Sequence, residues 1–444
     1  MRHPSPSGFD GPAGFDALVV GAGPAGSAAA FALAKAGMSV LIVERGPYPG
    51  SKNVYGGVVY GRILDQIDPL WWQSVPVQRW VVRRSTMVLT SSQSVSFDVR
   101  SQAWGGPPHN GMTVYRADFD SWLADKAVAE GARLVCSTVA TGLLRDGNGR
   151  VCGVRTDRPG GELHAKVVIA ADGVNSFLAK SAGLHRDVST SHFTLGVKEV
   201  LDMEPEMIES RFGLSAREGL DIEALGATGG IPGGGFLYTN HDSVSVGVVV
   251  ALDGLAASKR RPEELVAAFK AHPSIAPYLR HTTLREYSAH LIPEGGYDSM
   301  PDLVADGLLV AGDAAGMTLA AGLWLEGVNF AVGAGLAAGR AAARAIEAGD
   351  TTARGLGGYR RELETSFVLA DHLRLRRAPA LVLSDRVQGV YNKVLCDLAE
   401  QMFTVGNPAP KPGLLSLARR SMRTHGLKLR HVAKDGLEAA RTFR

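Results

Sequence analysis

The chain has 444 residues, an apolar share of 45% and a formal net charge of +3. That length predicts two or three lobes, and the near balance of charge excludes nucleic-acid binding as a property of the whole chain. Only three cysteines occur, Cys136, Cys152 and Cys396, none in a C-x-x-C spacing, so this chain alone cannot ligate a four-thiolate iron–sulfur cluster, and buried thiols in a reducing compartment are expected.

Residues 1–14 are rich in Pro, Gly and Ser and read as a disordered lead-in rather than a signal peptide. The apolar run Ala17-Leu18-Val19-Val20 then predicts a buried strand, and Gly21-Ala22-Gly23-Pro24-Ala25-Gly26 a tight turn into an alanine-rich helix. Gly21 suits the turn, Gly23 lets backbone approach a pyrophosphate, and Gly26 lets the helix pack on the strand. Pro24 fits the first helical turn, where a missing N–H has no helical partner. The helix start offers free N–H groups and a positive dipole end to phosphates. Gly37 ends the helix, residues 39–43 predict a second parallel strand, and Glu44 closes it eighteen residues after Gly26. A carboxylate there accepts both hydroxyls of an adenosine ribose and disfavours a 2′-phosphate. A Gly-rich turn without nucleotide is the bland alternative, but strand, glycines, helix, strand and acid all fall in register.

An irregular Gly-rich stretch covers 50–57, and 78–101 alternates in short β-like runs such as 86–89 and 94–97. Asp118 reads as the N-cap of a helix whose apolar face is Phe119, Trp122, Leu123 and Ala127, with Arg116 just ahead. Residues 134–136 and 151–154 read as strands flanking the turn 146–149, and 167–170 as a buried strand ending at Asp172-Gly173. From 185 to 290 the pattern is antiparallel β, clearest at 243–250. The glycines of 229–238, placed before a strand, predict close approach to something flat or bulky, with a flexible hairpin as the alternative.

A second glycine motif, Gly312-Asp313-Ala314-Ala315-Gly316, follows the apolar run 308–311. One fingerprint serves NAD or FAD, whereas the pair in this order points to FAD. The most apolar region, 303–339, is interrupted by Asp306, Asp313 and Glu326, short of the ~20 apolar residues of a spanning helix. A soluble or surface-attached protein is expected. Beyond 350 the reading is helical, with the basic run Arg374-Leu375-Arg376-Arg377 and a tail, 411–444, carrying nine Lys or Arg against two acids among leucines. That tail reads equally as a surface for anionic lipid or an acidic partner and as a solvated helical face. No internal repeat, Ser–His–Asp set or metal-ligand cluster is visible, and His192, His241 and His290 read as isolated structural or solvent-facing residues.

Together these motifs resemble the FixC group, flavoprotein subunits related to electron-transfer-flavoprotein:quinone oxidoreductase. The group lies within the FAD superfamily shared with aromatic hydroxylases and geranylgeranyl reductases. Gly50-Ser51-Lys52-Asn53 and Gly233-Gly234-Gly235-Phe236-Leu237-Tyr238-Thr239-Asn240 narrow the resemblance to that group. It implies an α/β fold: a Rossmann-type FAD-binding domain of the glutathione reductase and aromatic hydroxylase kind, a second antiparallel-sheet domain and a helical C-terminal region. The FAD-binding domain would be assembled from 15–77, 110–184 and 291–350, the β-rich domain from 78–109 and 185–290, and the basic helical region from 351–444.

Carried over to this sequence, the resemblance puts Gly21, Gly23, Pro24, Ala25 and Gly26 at the diphosphate and Glu44 at the adenosine ribose. Arg116 would sit beside the phosphates, and Gly312-Asp313 at the ribityl chain or pyrophosphate. Asp172 and Gly173 would shape the same channel, although turn capping after a strand is an alternative for Asp172 and Asp313. Gly327, Val328 and Asn329 would open a helix, running to about Ile346, at the pyrimidine edge of the flavin. Arg45, Lys52, Asn53, Gly56, Gly57 and Val139 complete the expected cofactor set, with no catalytic side chain and no metal. Gly316-Met317-Thr318 stands where aromatic hydroxylases carry His and a Pro pair, which argues against oxygen insertion. Glu326 stands where the FixC group commonly has Arg, replacing a cation near the flavin with an acid. The implied function is acceptance of electrons from electron-transfer flavoprotein and their delivery to a separate ferredoxin-like iron–sulfur protein, to quinone, or to both. A cytoplasmic site, with peripheral attachment to the inner face of the membrane as a variant, is expected. The rival readings are a reductase of C=C bonds in prenyl chains or secondary metabolites, and a non-catalytic flavin-binding subunit.

Overall fold

Four short apolar runs are too hydrophobic to face water on either side, and they become the centre of a parallel sheet. In the computed structural model, which describes residues 14–52, 57–185, 189–322 and 324–444, Phe15–Val20 lies between Val40–Val43 and Glu162–Ala170. Leu308–Val310 extends the sheet beyond Glu162–Ala170, and Arg133–Val135 forms the other edge. All of these pairings are parallel, and Ala17, Leu18, Val19, Val167, Val168 and Ile169 are completely buried, as a sheet covered on both faces requires. Residues 1–13, part of the stretch read as a lead-in, lie outside the described residues.

Two helices cover one face by pressing small residues together. Pro24–Lys35 packs against Val328–Glu347. A Cβ added at Gly335 would stand 2.1 Å from the Ala25 carbonyl oxygen, and one at Gly339 would stand 2.4 Å from that of Ala29. Gly26 meets the same limit from below, since its Cβ would fall 1.8 Å from the Gly21 carbonyl oxygen.

Two local expectations change. Residues 134–136 do not flank the turn 146–149; Arg133–Val135 is the edge strand beside Val40–Val43, and Ala140–Arg145 pairs with Val151–Thr156 around that turn. The strand Ala140–Arg145 hides its pattern because an edge arm buries little on either face. Asp118 is no N-cap: the helix runs Arg116–Ala129 behind Tyr115. Starting at Arg116 lets its guanidinium grip the fully buried Asp120 one turn on, at 2.8 and 2.9 Å.

Among the described residues the second sheet has nine strands. Along its main path they run Thr283–Pro293, Phe193–Asp202, Ser243–Ala251, Gly233–Thr239, Glu218–Leu225, Val77–Leu89, Met112–Val114 and Gly57–Val59, with Ser94–Arg100 beside Val77–Leu89. It is not wholly antiparallel, because Glu218–Leu225 and Val77–Leu89 run parallel. Strands 57–59 and 112–114, placed by sequence in the nucleotide pieces, pair in this sheet. One sheet face carries Val197, Ile222, Leu237, Val246 and Val248 against Leu265, Val266 and Phe269. The flat object expected beside the glycine stretch is partly the protein's own: a Cβ on Gly235 would stand 2.7 Å from the Phe269 ring. From 353 onward the described chain is helical, and among the described residues no helix is long and apolar enough to cross a membrane.

Gly335→Val is expected to destabilise the fold by about 3 kcal/mol through overpacking, read as a fall in the thermal midpoint. An unchanged midpoint would mean that the two helices do not meet at this glycine.

Candidate functional site

The carboxyl ends of the parallel strands and the open face of the second sheet enclose a cavity of about 500 Å³. Parallel strands deliver their ends to one edge, which gathers motifs far apart in sequence. Gly21, Gly23, Pro24 and Ala25 line the cavity, as do Glu44, Arg45, Lys52, Gly57, Arg116, Val139, Asp172, Gly173, Asp313, Gly327 and Val328. Gly26, Gly312 and Asn329 do not. Gly26 is the packing glycine beneath the turn. Gly312, with φ +67°, lets its loop close on the first helix, where a Cβ would stand 2.7 Å from that of Ala25. Asn329 is buried and donates to the Glu326 carboxylate. Asn53 and Gly56 lie outside the described residues.

The nucleotide end is preset by backbone. Gly21, at φ +100°, has the Ala171 carbonyl oxygen 2.3 Å from where a Cβ would stand, while Gly23 has nothing within 4 Å and leaves its backbone open. Glu44 accepts from the Ala22 amide at 2.8 Å and the Gly46 amide at 2.6 Å, which fixes its carboxylate at the strand end. Asp172 Oδ2 accepts from the Leu178 amide at 3.0 Å, whereas Oδ1 is buried without a partner. Burial pushes the Asp172 carboxyl above its ordinary range.

The opposite wall was not foreseen. Gly196, Lys198, Phe236, Tyr238, Val249 and His290 face the cavity from four neighbouring strands of the second sheet. Lys198 is 2% exposed, and its ammonium donates to the Tyr238 hydroxyl at 3.2 Å. Burial pulls its pKa down to about 7, with Glu286 opposing. His290, read from sequence as isolated, lines the cavity; burial lowers its pKa while Asp313 opposes. Glu294 lines the same cavity and is pushed up to about 7 by burial, with Thr194 opposing. The signal was present as period-two alternation, Gly196-x-Lys198 and Phe236-x-Tyr238, but which face would be enclosed depended on partners far away in sequence.

The comparisons with known proteins decide the family. Residues 14–363 match the model of the FAD binding domain family. A probable electron transfer flavoprotein-quinone oxidoreductase, YdiS of Escherichia coli strain K12, is 39% identical over 429 residues, 96% of this chain and 98% of that protein. Protein FixC of the same strain is 37% identical over 427 residues, again 96% and 98% of the two chains. The chain belongs to the FixC family of FAD-binding proteins. In fold it is similar to the crystal structure of a geranylgeranyl bacteriochlorophyll reductase-like protein from Thermoplasma acidophilum, with TM-score 0.71, 22% identity, and 92% and 95% of the two chains covered.

As a FixC-family member it is an FAD-dependent oxidoreductase of electron transfer. The cavity suits that cofactor: the open Gly23 backbone and the helix N-terminus at Pro24 face the space a dinucleotide requires, and Asp172 lines it. Among the described residues no cluster of three His, Cys, Asp or Glu side chains could hold a metal ion.

Beside the cavity wall, Arg84 bridges two acids, Asp221 at 3.4 Å and Glu223 at 2.6 Å. Asp221 is the cross-strand neighbour of Tyr238. Burial pushes both carboxyls up and Arg84 opposes. Raised folded-state values mean that stability from this cluster is fullest below the unfolded carboxylate range and is lost as pH rises toward neutrality. Arg84→Met strands the two acids, so its cost is expected to be about 3 kcal/mol at about pH 8 and clearly smaller at about pH 5. Denaturant unfolding at the two pH values checks this, and an equal cost at both would mean that the acids are not jointly buried.

Proposed function

We propose that this chain takes electrons from an electron-transfer flavoprotein and passes them to quinone, to a separate ferredoxin-like iron–sulfur protein, or to both. The observation that carries this reading is the full-length match to a protein named as a probable electron transfer flavoprotein-quinone oxidoreductase. When bound, FAD supplies the exchange of electrons, singly or in pairs, between donor and acceptor.

The chain's own residues supply binding and electrostatics. Gly21 to Ala25 and the helix dipole would hold the diphosphate, the two oxygens of Glu44 the adenosine ribose, and Arg116 the phosphate flank. Asp313, positioned by the Gly312 turn, would bond the ribityl chain or pyrophosphate, and Asp172 the same channel. Gly327 and Val328 begin the long helix, whose positive end would favour negative charge at the flavin's pyrimidine edge. Glu326 tempers that effect, since it is a half-buried acid whose pKa burial raises and Asn329 opposes.

A peripheral membrane position fits the C-terminal helices, where the exposed Leu414, Leu415, Leu429 and Leu437 alternate with Arg419, Arg420, Lys428 and Arg430. The Arg374 to Arg377 run is a weaker docking candidate than its sequence suggests, because Arg374, Arg376 and Arg377 lie against Asp371, Asp298 and Glu438.

Glu44→Ala and Asp313→Ala are each expected to lower FAD affinity by roughly 30-fold, about 2 kcal/mol for a charge-assisted contact, measured as cofactor retained after gel filtration. Full retention in both variants would overturn the site assignment. For the reaction, anaerobic mixing with reduced electron-transfer flavoprotein should bleach the flavin, and quinone in anionic-lipid vesicles should restore its colour. Rapid bleaching by NADPH, with consumption of a prenylated acceptor, would instead establish a C=C reductase.

A further inference from the structure

The second-sheet wall of the cavity carries polar groups that the nucleotide motifs do not explain. Register places Lys198, Gly247 and Phe236 in one row across three strands, and Gly196, Val249 and Gly234 in the next. Three glycines in two adjacent rows lower the floor of this wall. Where Gly247 lacks a side chain the Phe236 ring lies over the backbone: a Cβ there would stand 2.5 Å from it. Phe236 and Tyr238 are stacked, with centroids 5.9 Å apart and planes 18° from parallel. The wall is therefore flat and aromatic, with the apolar Val249 and Ile292 beside it. At its edge an ammonium and a phenol meet at 3.2 Å, the phenol also bonding to Ser245 on the adjacent strand, which gathers polar hydrogens at a single point of an otherwise apolar surface.

From this geometry we infer that Lys198 and Tyr238 are the binding residues for one ring oxygen of a planar quinone or quinol lying against the Phe236 wall. The inference rests on the proposed electron relay and names the subsite for its quinone acceptor. An apolar wall binds the ring by area, and two convergent donors fix which oxygen points inward. A carbonyl or phenolate oxygen accepts from both groups, and the phenolate gains most from a charged ammonium.

The titratable and charged groups around Lys198 are Glu286 and His290 on the neighbouring strand, Tyr238 two strands away with Asp221 paired beside it, and Arg116 on its helix. Tyr238 and Arg116 keep their protonation through the neutral range. Burial raises the Glu286 carboxyl, with Lys198 opposing, and lowers the His290 imidazole, with Asp313 opposing. Lys198, brought down to about 7, loses its charge as pH rises past neutrality, while Glu294, at the far end of the same cavity, is pushed up to about 7 and gains charge over the same range. Below that point the ammonium is charged and binding is strongest; above it the charge is lost.

The test measures binding, not turnover. A short-chain naphthoquinone and its quinol are titrated calorimetrically into the FAD-loaded full chain. Lys198→Met should weaken binding roughly tenfold and Tyr238→Phe several-fold, the scale of one hydrogen bond to a charged and to a neutral donor respectively. The double variant should lose little beyond Lys198→Met, since both donors serve one oxygen. For wild type the dissociation constant should rise between about pH 6 and pH 8.5, the window set by the lysine, and in Lys198→Met the part of that rise owed to the lysine should be lost, leaving a clearly shallower profile. Lys198→Gln, which keeps an N–H donor, should recover part of the loss, and FAD content should stay at wild-type level throughout.

Wild-type affinity and pH profile in Lys198→Met would overturn the inference. Loss of FAD from folded Lys198→Met would also overturn it, by assigning the lysine to the cofactor. If wild type binds no quinone yet its flavin is still bleached by reduced electron-transfer flavoprotein, this subsite falls and the donor half of the relay stands. If neither occurs, the relay itself falls.

Discussion

The parallel register of the first sheet is the constraint on which the site depends. The strand Phe15–Val20 ends at Gly21, Val40–Val43 at Glu44, Glu162–Ala170 just before Asp172, and Leu308–Val310 just before Gly312-Asp313. Because these strands point the same way and pair without slippage, all four loops open on one edge. A crevice at the carboxyl ends of parallel strands is where α/β folds place nucleotides. The glycines serve this arrangement: Gly26, Gly335 and Gly339 bring helix to strand and helix to helix at distances no side chain permits, and so aim the first helix into the cavity.

The second sheet contributes a different physics. Its inner face is solid apolar core, and its cavity face holds ionisable groups whose burial moves them toward neutrality. Lys198 is drawn down and Glu294 pushed up, each to about 7, while Arg84 holds Asp221 and Glu223 together. The cavity thus joins a wall of backbone amides and fixed carboxylates to a wall whose charges respond to small changes in surroundings. Such responsive groups are where acid–base and redox-linked sites are commonly built.

The nucleotide half was legible because its signals are local: Gly21, Gly23 and Gly26 with Glu44 are read within one strand–turn–helix–strand unit. The long helix, expected from the family resemblance to open at Gly327 to Asn329 and run to about Ile346, is found as Val328–Glu347. What escaped depends on distant pairing. Arg133–Val135 joins the parallel edge only because Val40–Val43 leaves that edge open. The parallel junction of Glu218–Leu225 with Val77–Leu89 bridges more than a hundred residues. Asp118 misled because its side chain suits a cap, whereas the pair Arg116–Asp120 sets the start. His290 looks isolated in sequence, yet it is the cross-strand partner of Gly196 at the cavity wall.

The contact between the first and last helices of the nucleotide half has a consequence for biosynthesis. Pro24–Lys35 emerges from the ribosome early, but Val328–Glu347, which shields it, is translated nearly three hundred residues later. Until then an alanine-rich flank stays uncovered, while the strands of the other sheet are made in between. Closure over such sequence separation is slow and exposes sticky surface. The architecture that gathers four distant loops therefore commits the nascent chain to a long wait, in which holdase chaperones have their natural opening.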